Sequence, residues 1–257
     1  MILPDMLSPD ARASRFARIS ASAMTERRVQ GEDGVGTLAE KWQHQIIKRY
    51  LSEDTSHHEV KLNGTRFVSD VRVENEVFEV QSADFFPMKK KIDYYLTHTD
   101  LTVTVVHPLA KNRLVSQIDP KTQEISAPKK SPRHSAPIEL LPKLYPLMPY
   151  LKNERLKFRL LLLEVQDFKL LSENRRKNAS RFERIPTALL EDLTLSSPAD
   201  FRALLPPSLP SPFTVKQFSK LTKLRGRDAY SAVHALEALG ILSPAPPVGR
   251  AMAFWIT

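Results

Sequence analysis

Asp70, followed after eight residues by Glu79-Val80-Gln81, is the grouping with the most chemical content in this 257-residue chain. Two carboxylates and an amide suit metal-dependent phosphodiester cleavage, which needs hard oxygen ligands for Mg²⁺ or Mn²⁺ and a polar group to orient the attacking water. Their spacing fits two neighbouring strands. Strand residues of equal parity share a face, so Asp70 goes with Val68 and Arg72, and Glu79 goes with Gln81. A two-residue turn at Glu74-Asn75 sets Asp70 opposite Glu79. A turn at Asn75-Glu76 sets it opposite Gln81, with Glu79 on the diagonal. Either register gathers all three on one face, whereas a three-residue turn without a bulge sends Asp70 to the other. The competing reading is an ordinary solvent-facing hairpin.

The elements around these residues follow from periodicity. Leu38, Trp42, Ile46 and Tyr50 recur at helical spacing, with Thr37 as N-cap and Glu40 as its capping-box partner. Three runs, HHEVKLN, RFVSDVRVE and EVFEVQSA, largely alternate apolar and polar residues, and Asn63-Gly64 supplies a turn. KKKIDYYLTHTD suits a helix and LTVTVVHPL a buried strand, which gives the order α-β-β-β-α-β. Residues 108–137 hold five prolines and read as a protruding excursion with a hairpin at Asp119-Pro120. A proline-interrupted helix (IELLPKLYPLMPYL) and a long buried strand (LKFRLLLLEVQDFKLL) follow, the latter with a helical alternative.

With this order on the page, the chain resembles the PD-(D/E)xK nuclease superfamily over roughly residues 36–170, and most of all its CoiA-like competence nucleases. The resemblance implies an α/β restriction-endonuclease-like core with a mixed sheet. Asp70 would be the motif aspartate, Glu79-Val80-Gln81 a variant of (D/E)xK, and Glu40 the first-helix acid. It further implies Asp70 and Glu79 as ligands of Mg²⁺ or Mn²⁺, and Gln81 as the group orienting water. Ser69 precedes Asp70 where proline is usual, and Gln81 replaces the usual lysine, so the positive charge must come from elsewhere. Lys89, Lys90 and Lys91 on the next helix, or Tyr94 and Tyr95, are candidate donors. Loss of turnover with retention of the fold is the alternative, leaving a DNA-binding or assembly protein.

Residues 213–257 read as helix, turn, helix and a two-stranded tail, with Gly240 as a stop past the second helix. This resembles a winged helix-turn-helix, with ADFRALLP as its first helix. The resemblance implies that Arg225, Arg227, Ser231 and His234 face DNA while Lys216, Lys220, Lys223 and Arg250 touch its backbone. Residues 211–257 hold six Lys or Arg and two acids, a local charge of +4. A winged helix used for docking or for a homodimer is the alternative.

A net charge of +9 and a pI near 9.7 fit a polyanionic partner, here expected to be double-stranded DNA. The absence of cysteine excludes disulfides, cysteine-ligated zinc and thiol catalysis. No P-loop, hydrolase elbow or dinucleotide-binding fingerprint occurs. His57 and His58 read as surface polar residues. No apolar run of about 18 residues and no signal peptide is found, so a cytoplasmic protein with no membrane partner is expected. The expected division is a basic arm (1–35), the nuclease-like domain (36–185), a linker with a short helix (186–212) and the winged helix (213–257). Arg175, Arg176, Lys177, Arg181 and Arg184 form a second basic cluster, read as solvated linker or phosphate-tracking surface.

Overall fold

The computed structural model describes residues 3–29, 39–171 and 180–257. The stretch expected as an arm or short helix forms α1 (Pro9–Val29), which buries Phe16, Ile19 and Ala23. Three apolar side chains at three- and four-residue spacing suffice to dock one narrow stripe, too thin to stand out among the arginines. Its partner is α2 (Ala39–Leu51). Phe16 meets Tyr50 edge-on, with ring centroids 5.3 Å apart, and the Arg49 guanidinium donates two 2.8 Å bonds to Glu26. α2 buries Trp42, Ile46 and Tyr50 as the periodicity predicts, together with Ile47. The predicted cap Thr37, Leu38, the Glu40 side chain, Arg175, Arg176, Lys177 and the Arg181 side chain lie outside the described residues.

β1 (His58–Lys61) and β2 (Val68–Val73) pair antiparallel, with His58 opposite Val71. In β2 the side chains of Ser69, Val71 and Val73 are buried, while Asp70 and Arg72 are half-buried. Glu74-Asn75 alone separates β2 from β3 (Glu76–Val80), and Glu74 takes the left-handed turn conformation with φ 50°. α3 (Lys89–His98) then leads to β4 (Thr102–Ile118), which runs parallel to β3 with Glu79 opposite Val105. The chain turns at Asp119-Pro120, where the Asp119 carboxylate accepts the Lys121 amide at 2.8 Å. Ile118 bridges Ile125, and β5 (Lys129–Lys130) pairs antiparallel with β4. Residues Pro137–Tyr150 form a 3-10 helix with Pro142, Pro146 and Pro149 inside it. Proline cannot donate the bond that continues an α-helix, and spacings of three to four residues suit the tighter turn.

β6 (Leu156–Leu170) and β7 (Ser180–Leu195) complete a seven-stranded mixed sheet in the order β1-β2-β3-β4-β6-β7, with β5 beside β4. β7 takes up residues 186–195, the first part of the stretch expected as linker. Its apolar positions are interrupted by charge and by Pro186, which hides the pattern, and Arg184 is held by a forked bond to Asp167 at 2.6 and 2.7 Å. Next come α4 (Pro198–Arg202), β8 (Phe213–Thr214), α5 (Val215–Thr222), α6 (Arg227–Ala238), β9 (Leu242–Val248) and β10 (Ala251–Ile256). β8, β10 and β9, in that order, form a second, antiparallel sheet. The Thr214 hydroxyl and the Gln217 side chain box the start of α5. Gly240, at φ 75°, ends α6, with the Ile241 amide donating back to Leu236 O at 3.0 Å.

The chain divides into two compact units. One comprises Met1–Val73, Pro108–Ser135 and Leu161–Leu193, with α1 and α2 providing much of its apolar interior. The other comprises Glu74–His107, Ala136–Leu160 and Thr194–Thr257. Its interior includes stacked Phe85 and Phe158, with Phe201 of α4 edge-on to Phe158 at 5.9 Å. Among the described residues no helix is long and apolar enough to cross a membrane.

Candidate functional site

In the first unit, Asp70 sits near the middle of β2 with its carboxylate part-exposed. His44 Nε2 of α2 stands 3.2 Å from Asp70 Oδ2. His44 and Lys48 are four residues apart, so they share one face of α2. The sequence alone does not single out His44, whose place beside Asp70 comes from the packing of α2 on β2. Lys48 donates to Glu59 at 2.8 Å, and this bond holds the Glu59 carboxyl below its usual range. His57 and His58 both turn to Ser52, one to its hydroxyl at 2.9 Å and the other to its carbonyl at 2.8 Å.

In the second unit, the Glu79 side chain of β3 is only 4% exposed. Lys91 Nζ donates to Oε2 at 2.5 Å and the Tyr95 hydroxyl donates to Oε1 at 3.0 Å. Lys91 and Tyr95 are one turn apart on α3, which explains why both reach the same carboxylate. Of the candidate donors, Lys91 and Tyr95 are thus brought to Glu79. Lys90 is exposed, and Tyr94 stacks on His98 with centroids 4.7 Å apart.

Gln81 faces its own loop: Oε1 accepts the Ala83 amide at 3.1 Å, while its backbone carbonyl accepts from His107 Nδ1 at 2.5 Å. Burial pushes the His107 imidazole down to about 4 from 6.5, with nearby Lys143 adding to the shift and the bond to Gln81 opposing it. Lys143 donates to Ala83 O at 3.1 Å, so two elements pin the loop that follows β3. Among the described residues no three His, Asp or Glu side chains gather into a group able to hold a metal ion.

The C-terminal elements present a different surface. α6 buries Ala229, Ala232, Val233, Ala235 and Leu236, and the 3-10 helix Pro137–Tyr150 lies along it. Arg227, Tyr230, Ser231 and His234 recur at three- and four-residue steps on the remaining arc; all but half-buried Ser231 are exposed. Tyr230, 56% exposed, is absent from the sequence-derived set. His234 Nδ1 stands 3.1 Å from Glu237 Oε2, and its ring lies 6.4 Å from that of Tyr145 on the 3-10 helix. Lys216, Lys220, Lys223, Arg225 and Arg250 are all exposed.

Neither a curated protein nor a solved structure matches the chain. One family model, described as "Domain of unknown function (DUF8091)", matches residues 41–196. That span is more than half of the sequence, and the chain belongs to this family.

Proposed function

We propose that this is a DNA-binding protein that engages its ligand through the elements between Pro198 and Ile256. The observation that carries this reading is the uncovered arc of α6, where Arg227, Tyr230, Ser231 and His234 line up behind the exposed cations Lys223 and Arg225. The succession α4, β8, α5, α6, β9, β10 with sheet order β8-β10-β9 supports the resemblance to a winged helix. Lys and Arg that neutralise phosphates release condensed counterions, so affinity should fall steeply with salt. The test uses a labelled forked DNA, a duplex stem with a single-stranded tail, titrated at several salt concentrations. Arg225→Ala with Arg227→Ala should lower the salt slope by about one unit for each phosphate no longer neutralised. An unchanged slope and affinity would move DNA binding away from α6.

A second reading, phosphodiester cleavage in the core, is favoured by the Lys91 ammonium on Glu79, a cation close to a motif acid where Gln81 offers none. In that reading Asp70 and Glu79 would hold Mg²⁺ or Mn²⁺, Lys91 would supply positive charge and Gln81 would orient water. The described residues do not form a ready metal centre, since Glu79 already binds Lys91 and Tyr95 and no three-ligand group exists among them. Plasmid nicking with Mn²⁺, compared between the wild type, Asp70→Ala and Glu79→Ala, tests it. Cutting that survives both substitutions removes these residues from the chemistry, and binding without cutting leaves a non-catalytic DNA-binding or assembly protein.

A further inference from the structure

A duplex is read when a helix enters the major groove, which is about 12 Å wide, close to the diameter of a helix with its side chains. α6 buries one continuous face, and the 3-10 helix Pro137–Tyr150 runs beside it, which leaves a stripe with Arg227, Tyr230, Ser231 and His234 open. The stripe is also unusual in content. Tyr230 and His234 are one turn apart and exposed, and Tyr145, 37% exposed, adds a third ring from the neighbouring helix at 6.4 Å from His234 and tilted 60°. Exposed rings interleaved with Arg225 and Arg227 are what an unpaired strand requires: π-faces for its bases and cations for its phosphates. The Glu237 carboxylate stands 3.1 Å from His234 Nδ1 and orients that ring.

Resting on the DNA-binding reading above, we propose that Tyr230, His234 and Tyr145 form a stacking platform for the unpaired bases of single-stranded DNA, with Arg225 and Arg227 guiding its backbone. Stacking tolerates any base, so the platform selects strand state rather than sequence. Bases already paired and stacked in a duplex cannot lie on these rings, and that difference supplies the selection.

The experiment compares the full chain on the forked DNA, on labelled oligo(dT) and on a blunt duplex of the same length, by fluorescence anisotropy. Oligo(dT) and the fork should bind more tightly than the blunt duplex. Tyr230→Ala and Tyr145→Ala should each weaken oligo(dT) binding by about 10-fold or more, with an unchanged salt slope, because each removes a stacking face and leaves the cations on the phosphates in place. Tyr230→Phe, which keeps the ring, should stay within about twofold of wild type. Both tyrosines are exposed, and a matching thermal midpoint checks that each variant is folded. Binding to the fork and the blunt duplex alike, with neither alanine change weakening oligo(dT), overturns the platform and leaves the DNA-binding reading standing. Absence of binding to all three DNAs overturns both.

Discussion

Lys91 Nζ lies 2.5 Å from Glu79 Oε2, an ion pair that joins α3 to β3 with the carboxylate all but removed from solvent. A buried pair of this kind is costly to break from one side, because the remaining charge stays in a medium that solvates it poorly. Lys91→Met is expected to destabilise the protein by about 3 kcal/mol, the low end for a buried pair because Lys91 itself is part-exposed. Adding Glu79→Gln should recover part of that loss. Urea unfolding of the two single variants and the double variant measures the coupling, and strictly additive losses would show that the two side chains stabilise the fold independently.

His107 predicts a pH dependence of stability. Its folded pKa, near 4, lies below the unfolded value of 6.5, so the unfolded chain takes up the proton first as the pH falls. The stability associated with the neutral ring is complete above about pH 6.5 and is lost progressively towards pH 4, amounting to about 3 kcal/mol over that window. His107→Asn keeps a donor for the Gln81 carbonyl and removes the titration. Unfolding curves at pH 7.5 and near pH 4.5 should converge for this variant relative to wild type, and parallel losses would be evidence against the assignment.

Tyr150 donates its phenol to Asp93, and that bond, with burial and the charge of Asp93, pushes the hydroxyl up to about 12. Asp93→Asn should bring one tyrosine back towards about 10, read from the near-ultraviolet absorbance of tyrosinate during an alkaline titration. No change in the titration curve would separate Tyr150 from Asp93 in solution.

The packing of α1 can be tested without reference to function. Phe16 is fully buried against Tyr50, so Phe16→Ala should cost about 3 kcal/mol in urea unfolding. A cost near zero would mean that α1 does not dock on α2.

The strands that carry Asp70 and Glu79 were legible because β2 alternates and a two-residue turn at Glu74-Asn75 separates it from β3, but β3 buries Val77, Phe78 and Glu79 in succession, so Glu79 does not lie on the open polar face that alternation predicts. The length of β4 was less so. Pro108 and the polar run from Lys111 to Arg113 resemble a loop, yet the strand continues through them to Ile118. β7 stayed hidden for a related reason, since the charge of Arg184 is accommodated in the strand by Asp167, a partner distant in sequence. The contact of Lys91 with Glu79 was foreseeable in kind, because α3 follows β3 in the chain and carries three lysines at its start. His44 beside Asp70 was overlooked because a single histidine on an amphipathic helix carries no signal until its four-residue spacing with Lys48 is placed against β2.

The tight seating of α6 limits which of its positions can diverge. Ala229, Ala232 and Ala235 are held small by what surrounds them, so drift or redesign there jeopardises folding before it alters any ligand. Positions 227, 230, 231 and 234 lie off that buried face and are less restrained, though Ser231 is half-buried and His234 meets Glu237. A library confined to those four codons would therefore leave the buried face of α6 intact and reveal whether the open arc sets ligand choice.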